Sequence, residues 1–183
     1  MNYLDFIVKL DNIIPNEFCN EIIEYINKTD LELLTIGKPN QNFLKQDFRN
    51  VLGKHLDSIK QKDVFNRIKK KIEDLYILYH SKFPKLYINK INQIDVLKYG
   101  IGGKHGFHVD TFTDYTRTVS VILNLNNDYE GGDLVFGDQK NQEVKRFKLG
   151  AGTCLFFPSS FMYPHSISPI IKGNRYCVVS WLQ

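Results

Sequence analysis

The chain has 183 residues, of which 43% are hydrophobic and 24% are charged, and its formal net charge at pH 7 is +4. These values match ordinary globular proteins and argue against disordered or fibrous classes, and the length suits one domain of roughly 100–200 residues. No apolar run approaches the ~18 residues that a membrane helix needs. The charged start, MNYLDFIVKLDN, argues against a secretory signal.

Cysteine and charge patterns bear on location and partners. Cys19, Cys154 and Cys177 lie in apolar contexts without C-x-x-C spacing, so we expect reduced thiols in a cytoplasmic protein. The basic run RIKKKIED could face nucleic acid, but its charges fall between apolar helical positions and Glu73 and Asp74 follow at once. A solvated helix face is therefore favoured over a nucleic-acid partner. We expect no membrane partner, and the oligomeric state is left open.

The first half of the chain predicts mainly helices. Pro15 can occupy the first helical position, and Phe18, Ile22 and Ile26 then recur every four residues on one face. A longer helix is predicted over residues 57–79, where apolar residues step by three and four. These two patterns predict amphipathic helices, each with one face buried.

From about residue 86 the pattern changes to short strands. Residues 118–125, TVSVILNL, alternate in a way that uses both faces of a strand. Further strands are predicted at 94–99, 133–136, 143–149, 153–157, 163–168 and 175–182. Many short strands at close spacing predict a β-barrel or jelly roll. We expect a single domain over 1–183, mainly β with N-terminal helices (α+β). In it, residues 1–85 give mostly helical support, two or three helices, to a β-barrel core in 86–183.

Two histidines and an aspartate carry metal-ligand chemistry. In FHVD, His108 and Asp110 are two positions apart, so on a strand both point the same way and could grip a metal such as Fe(II). The motif alone also fits a surface turn. His165 can join them only if the fold returns the chain across the barrel, and it could otherwise be a hydrogen-bonded core or surface histidine. His105 is predicted to be a loop residue near the entrance.

Arg175 is the fourth residue that stands out. It follows the turn Lys172-Gly173-Asn174 and precedes the apolar run CVV. A cation at the mouth of a barrel strand is costly unless it meets an anion. The partner could be a bound ligand or a carboxylate of the protein itself.

In this order the motifs resemble the iron(II)- and 2-oxoglutarate-dependent dioxygenases, most closely the prolyl 4-hydroxylases. The resemblance covers about residues 94–182 and, more loosely, the N-terminal DNIIPNEFCNEII. Its landmarks are KYGIGGKHGFHVD, RTVSVILNLN, GGDLVF, GAGTCLFFPS and PHSISPIIKGNRYCVVSW. It implies a double-stranded β-helix fold, Fe(II), 2-oxoglutarate and O2 as cofactors, and ascorbate as a candidate reductant.

The resemblance also implies roles for single residues. The three iron ligands would be His108, Asp110 and His165, and with Arg175 they form the predicted catalytic set. Arg175 would hold the far carboxylate of 2-oxoglutarate, because a guanidinium fits a carboxylate as a fork. Collagen-type enzymes have lysine at that place and oxygen-sensing ones arginine, which leaves the subgroup open. Tyr99 and Asn124 match positions where relatives hold the cosubstrate, although Tyr99 could be an ordinary strand aromatic.

Hydroxylation of an unactivated C–H bond is the implied reaction, with a prolyl residue of a peptide or protein as the leading substrate. Free proline, another small molecule, or a non-catalytic barrel that holds a metal or anion stay open. Asp110 argues against halogenation, since halogenases carry a small residue there, and RYCVVSWLQ lacks the second arginine of nucleobase demethylases. Loops 37–50 and 111–117 are expected to line the entrance. The candidate substrate contacts are Phe112, Tyr115, Arg117 and Trp181, with structural packing as the alternative for Trp181.

Overall fold

The computed structural model describes residues 2–34, 47–111 and 116–183, with the side chain of Asn92 left aside. A 3-10 helix spans Tyr3–Phe6, and the two α-helices of the described ranges are α1 (Asn16–Lys28) and α2 (Lys62–Lys82). The strands are β1 (Val8–Leu10), β2 (Glu32–Leu33), β3 (Arg49–Asn50), β4 (Leu52–His55), β5 (Ile91–Tyr99), β6 (Lys104–His108), β7 (Val119–Asn124), β8 (Glu130–Gly131), β9 (Leu134–Gly137), β10 (Glu143–Phe147), β11 (Thr153–Pro158), β12 (His165–Ile167), β13 (Ile170–Lys172) and β14 (Arg175–Leu182).

Two antiparallel sheets carry the fold. Seven strands form one sheet in the order β1-β11-β7-β14-β5-β4-β2, and five form the other in the order β10-β9-β12-β6-β3. A short pair, β13-β8, stands beside them. From β5 onward the chain crosses repeatedly between the two larger sheets, which is the connectivity of a jelly roll. The predicted jelly-roll barrel with helical support is confirmed.

Strand alternation gives the seven-stranded sheet two different faces. On β7, Val121 and Leu123 pack into a cluster with Ile22 of α1 and Ile68 of α2, whereas Ile122 packs into a second cluster between the two sheets. Burying one such isoleucine stabilises the fold by about 1.5–3 kcal/mol relative to exposing it. The helices therefore close one face of this sheet, and the other face is left to line the barrel interior.

The first half of the chain is less helical than predicted, because β1 to β4 lie within residues 1–85. These strands have only two to four residues, too few to show an alternating pattern. Of the predicted loop 37–50, residues 37–46 lie outside the described residues, and Arg49–Asn50 form β3. No helix in the described ranges is long and apolar enough to cross a membrane.

The second helix begins later than predicted, at Lys62 rather than Asp57. The Asp57 carboxylate accepts hydrogen bonds from the backbone N–H groups of Ile59 and Lys60, each at 2.8 Å. These bonds stabilise a turn over residues 58–61, and the regular helix begins only after that turn. The first helix begins at Asn16, one position after Pro15.

Candidate metal centre

A cavity of about 400 Å³ lies between the two large sheets. Alternate residues of β14 line it: Arg175, Cys177, Val179 and Trp181. The polar side chains predicted to act together, His108, Asp110, His165, Arg175 and Tyr99, all reach this one cavity. Strands far apart in the sequence therefore bring the predicted site residues to a common place.

The two histidines face each other across paired strands. His108 ends β6 and His165 begins β12, and their Cα atoms are direct register partners. Asp110 lies two residues beyond the end of β6, so the predicted alternation within one strand is not what aligns it with His108. Its Oδ1 is 3.5 Å from Nε2 of His108, and its Oδ2 is 3.6 Å from Nε2 of His165. One ligand atom from each of the three residues can lie within 4.8 Å of the others.

Backbone carbonyls set the tautomer of both imidazoles. Nδ1 of His108 is 2.9 Å from the Gly106 carbonyl oxygen, and Nδ1 of His165 is 3.0 Å from that of Tyr163. A carbonyl oxygen can only accept, so each Nδ1 carries the proton when the ring is neutral. The lone pair then sits on Nε2, on the side of Asp110. Orienting ligand histidines through a hydrogen bond to the other ring nitrogen is usual at metal sites.

The charge states also suit a cation. Burial lowers the pKa of His165 to about 4, although the Asp110 charge opposes that shift, so the ring is neutral near pH 7. Burial raises the pKa of Asp110, but His165, His108 and a hydrogen bond from Ser120 outweigh it and hold that pKa below its usual range. An ionised carboxylate beside two imidazole nitrogens is a donor set for a divalent metal.

His105 lies on β6 and not in a loop, which corrects the expectation for that residue. The chain turns earlier, at Gly102 with φ +75° and Gly103, so that β6 already pairs with β3 at His105. Its ring stacks on His108 with the centroids 3.7 Å apart and the planes inclined by 22°. His105 thus packs one side of a candidate ligand.

Arg175 is 1% exposed and lacks an anionic partner within the described part of the chain. Its Nε donates to Oδ1 of Asn124 at 2.8 Å, while Nη1 and Nη2 meet no acceptor among the described residues. Tyr99 is its register partner on β5, and burial raises the pKa of Tyr99 to about 12. A buried guanidinium with two unused nitrogen donors, next to a protonated phenol, is ready for an anion.

Asn124 contacts Arg175 and the backbone. Its Oδ1 also receives the Tyr129 hydroxyl at 3.3 Å, and its Nδ2 donates to the carbonyl oxygens of Asn126 and Leu149. These bonds use both ends of the amide. Direct binding of a cosubstrate by Asn124 stays a prediction, and the contacts it makes fix the position of Arg175.

Arg117 and Trp181 meet on the cavity wall. The Arg117 Cζ lies 3.7 Å from the centroid of the Trp181 ring, and its Nη1 donates to the Asp110 carbonyl oxygen at 3.1 Å. Its Nη2 donates to Oε1 of Gln93 at 3.1 Å. The predicted substrate contacts of both residues stay predictions. Phe112 and Tyr115, the two other candidates, lie outside the described residues.

Two serines near the Asp110 carboxylate have no predicted role: Ser120 bonds the carboxylate, and Ser159 bonds Ser120. Ser120 alternates with Ile122 and Asn124 on the cavity face of β7, so the strand pattern could have found it. Ser159 follows the end of β11 and reaches the site only through tertiary folding.

Comparisons with known proteins identify the family. The model of the 2OG-Fe(II) oxygenase superfamily matches residues 94–183, the part that holds His108, Asp110, His165 and Arg175. The chain belongs to the 2OG-Fe(II) oxygenase superfamily. A PKHD-type hydroxylase of Idiomarina loihiensis is 23% identical over 181 residues, which are 97% of this chain and 77% of that protein. One of Prochlorococcus marinus is 25% identical over 175 residues, 87% of this chain and 76% of that protein.

Solved structures of two prolyl hydroxylases share the fold. A prolyl-4-hydroxylase of Pseudomonas putida superposes with a TM-score of 0.78 at 18% identity, covering 97% of this chain and 92% of its own. A prolyl hydroxylase of Trichoplax adhaerens, in complex with a peptide fragment of the hypoxia inducible factor oxygen degradation domain, gives 0.77 at 18% identity over 99% and 86%. At this identity the likeness concerns the fold.

The superfamily implies Fe(II), 2-oxoglutarate and O2, and the residues of the cavity fit them. Two imidazoles and one carboxylate form the facial donor set that suits ferrous iron and leaves coordination positions open. The unused Nη1 and Nη2 donors of Arg175 suit one carboxylate of a dicarboxylic acid. The ligand atoms of the three metal-site residues and the outer nitrogens of Arg175 thus meet both halves of the cofactor requirement.

Proposed function

We propose that this protein is an Fe(II)- and 2-oxoglutarate-dependent dioxygenase that hydroxylates an unactivated C–H bond, with a prolyl residue of a peptide or protein as substrate. One observation carries the proposal. The His108, Asp110 and His165 donors converge in the same cavity as a buried arginine whose outer nitrogens meet no acceptor in the described ranges. A structural ion pair would have supplied that acceptor from the protein.

In this proposal His108, Asp110 and His165 hold the iron, each through one atom. Three protein ligands on one face leave room for a bidentate cosubstrate and for oxygen, which a site with more protein ligands would exclude. When bound, Fe(II) would activate O2, which is the oxidant: one oxygen atom would enter the succinate formed from 2-oxoglutarate with loss of carbon dioxide, and the other would enter the substrate as the hydroxyl group. The protein contributes positions, charges and the exclusion of water.

Arg175 would bind and orient the distal carboxylate of 2-oxoglutarate. Its side chain is fixed by the Asn124 bond, so its Nη1 and Nη2 donors stand in place before the ligand arrives. Tyr99 would donate its phenolic proton to the same ligand, since its pKa of about 12 keeps that proton on at neutral pH. Preorganised donors avoid the entropy of arranging them during binding.

The apolar walls support the chemistry by keeping water out. Leu97, Ile122 and Val179 line the cavity next to the polar centre. A dry site strengthens each electrostatic contact and protects reactive states from side reactions. A compact apolar ring such as that of proline suits these walls. The Pseudomonas putida and Trichoplax adhaerens proteins of the same fold are prolyl hydroxylases, which supports a prolyl substrate.

The proposal extends to the surroundings of the reaction. Residues 1–183 would act as one catalytic domain, with α1 and α2 supporting the sheet that carries the site. Ascorbate would serve as a reductant that restores ferrous iron. A cytoplasmic location fits the three free cysteines, which are all buried.

Anaerobic ligand binding tests the metal centre first. Purified protein with Fe(II) and 2-oxoglutarate is expected to show the weak visible absorption band that iron and a bound 2-oxo acid give together. Asp110→Ala should lose the band and the oxygen-dependent formation of succinate. Asp95→Asn, which alters another buried carboxylate of the cavity, is the matched control and should keep both. No band in the unaltered protein would instead favour a non-catalytic metal- or anion-binding module.

A substrate panel tests the rest of the proposal. Succinate release above the background without substrate is measured for proline-containing peptides, matched peptides with alanine in place of proline, and free amino acids. Stimulation by the proline peptides alone, with a hydroxylated product found by mass spectrometry, supports the prolyl assignment. Stimulation by free proline alone would contradict a peptide substrate, and stimulation by the alanine peptides would contradict attack at proline.

A further inference from the structure

Two buried serines stand behind the Asp110 carboxylate. The Ser120 hydroxyl lies 2.6 Å from Oδ2 of Asp110, and the Ser159 hydroxyl lies 2.8 Å from that of Ser120. The two serines are 2% and 1% exposed, and Asp110 is 7% exposed. The three side chains form a short hydrogen-bonded chain that is shielded from bulk water.

The direction of this chain follows from counting protons. An ionised carboxylate only accepts, so the single hydroxyl proton of Ser120 points at Asp110. The distance of 2.6 Å is in the range of a charge-assisted O–H···O⁻ bond. The Ser120 oxygen is then left to accept, and Ser159 must donate to it. Donation runs from Ser159 to Ser120 to Asp110, and each bond polarises the next.

The backbone around Ser159 holds this chain in place. The Ser159 N–H donates to the carbonyl oxygen of Thr118 at 3.0 Å, just before β7. The Ser159 carbonyl oxygen accepts from the backbone N–H and the hydroxyl of Thr111, at 3.1 and 2.9 Å. Thr111 directly follows Asp110. Ser159, the first donor of the hydrogen-bonded series, is therefore held by backbone bonds against the segment that contains Asp110, its last acceptor.

We propose that Ser159 and Ser120 act as positioning residues that set the orientation of the Asp110 carboxylate for the metal, an inference that rests on the proposed iron site. With Oδ2 bound to Ser120, the carboxylate cannot rotate freely about its last bond. Both oxygens lie near an imidazole, Oδ1 at 3.5 Å from Nε2 of His108 and Oδ2 at 3.6 Å from Nε2 of His165, but only Oδ2 accepts the Ser120 hydroxyl, so Oδ1 is the oxygen left to bind the cation as a single-oxygen ligand. A carboxylate that binds through one oxygen leaves one more coordination position open.

Metal affinity is the property that a merely structural role would not change. Co(II) is used as an air-stable probe, and its dissociation constant is measured by calorimetry at one fixed pH. Loss of a hydrogen-bonding group behind a metal ligand weakens binding by about 10- to 100-fold. We expect at least a tenfold loss for Ser120→Ala and a smaller loss for Ser159→Ala, which leaves the Ser120 bond in place. Ser120→Thr keeps the hydroxyl and should bind within about threefold of the unaltered protein.

Ser180→Ala is the matched control. Ser180 is a serine of the same sheet with 1% exposure, and its hydroxyl donates to the backbone carbonyl oxygen of Gln93 at 2.7 Å instead of to Asp110. Its removal should lower the melting temperature as a lost buried hydrogen bond does, without altering Co(II) affinity. Melting temperatures of all metal-free variants separate the two effects.

Three results would overturn the inference: unchanged affinity in Ser120→Ala, an equal loss in Ser180→Ala, or an equal loss in Ser120→Thr. If Ser120→Ala does not fold, the test rests on Ser159→Ala. Unchanged Co(II) affinity in that variant would show that the hydrogen bonds from Ser159 through Ser120 do not position Asp110. Failure of the underlying metal site looks different. In that case the unaltered protein does not bind Co(II), or Asp110→Ala binds it equally well.

Discussion

The two faces of the seven-stranded sheet are built from the same strands but have different roles: one packs against the helices, and the other lines the cavity. Toward the helices, β5, β7 and β14 present fully buried apolar side chains such as Ile94, Leu123 and Val178. On the other face, the same strands present Asp95 and Arg175, which line the cavity, and Ser120, which bonds the cavity residue Asp110; all three are also nearly inaccessible. Burial alone therefore does not distinguish the core from the site.

The difference lies in whether the buried groups are satisfied. Apolar side chains on the helix face gain free energy simply by leaving water. On the cavity face, Arg175 keeps two nitrogens without an acceptor in the described part of the chain, which costs free energy in the ligand-free protein. The helix face therefore stabilises the fold, whereas the cavity face lowers the stability of the ligand-free protein because its donors are kept for a ligand. Substitutions on the two faces should separate stability from binding.

The largest effect is expected for Arg175→Met. Removing one partner of a buried charged pair costs several kcal/mol, so 2-oxoglutarate affinity should fall by about 1000-fold, or ~4 kcal/mol. The ligand-free protein should melt no lower than the unaltered one, because an unsatisfied buried cation is replaced by an apolar chain. Calorimetric titration and thermal melts measure the two quantities. A clear drop in melting temperature would show that Arg175 belongs to the stabilising face.

The opposite pattern is expected for Ile94→Ala on the helix face of β5. Deleting this fully buried side chain should cost about 3 kcal/mol in the free energy of unfolding, within the 2–5 kcal/mol typical of such changes. The 2-oxoglutarate affinity of the folded fraction should stay unchanged. Urea unfolding and calorimetry check this, with Asp95→Asn on the adjacent position as control. If Ile94→Ala is too unstable to purify, Ile94→Val, at about 1 kcal/mol, replaces it. A loss of 2-oxoglutarate affinity in the folded fraction of either isoleucine variant would contradict the claim that the helix face affects stability and not binding.

Much of the difference between the helix face and the cavity face could be predicted from the sequence, because the alternation of side chains along a strand is a local property. TVSVILNL shows which side chains of β7 share a face, and the long apolar stripe of α2 shows that one of those faces needs helices. Seven of the strands from β5 onward were predicted closely for the same reason, whereas β6, β8 and β13 were given no strand range. The β1 to β4 strands were not, because two to four residues show no period. The start of α2 was misplaced because Asp57 bonds the backbone ahead of it.

The residues of the candidate site could be predicted from the sequence, but the contacts that bring them together and orient them could not. His108, Asp110 and His165 could be proposed from motif order, whereas their meeting depends on β6 and β12 pairing across the barrel. The tautomers depend on carbonyl oxygens of Gly106 and Tyr163, which no residue identity reveals. Contacts of this kind are made by tertiary structure, so a sequence pattern can name the ligands without the groups that orient them.

A smaller effect is expected for Arg117→Met, on the cavity wall. The guanidinium stacks on Trp181 and donates two hydrogen bonds, so its loss should cost about 1–2 kcal/mol of stability. Trp181 is the only tryptophan of the chain, so its fluorescence reports this contact directly and should change. Lys98→Met removes an exposed cation from the ring of Tyr176 and serves as control. Emission that is identical in Arg117→Met and the unaltered protein would contradict the stacked arrangement.

The smallest effect concerns pH and the His55–Asp95 pair at the edge of the cavity face. The hydrogen bond to Asp95, 3.0 Å from Nδ1, raises the pKa of His55 in the folded protein, against the opposing effect of burial. A raised folded pKa means that the pair's stabilisation is complete below the unfolded value of 6.5 and is lost as pH rises through the folded value. His55→Gln should therefore lower the melting temperature at pH 6 more than at pH 9. Because His55 is half exposed, the difference should be below about 1 kcal/mol. His80→Gln, which alters a histidine of α2 next to Tyr76, is the control. An equal drop in melting temperature at both pH values in His55→Gln would show that the bond to Asp95 does not depend on the charge of the imidazole.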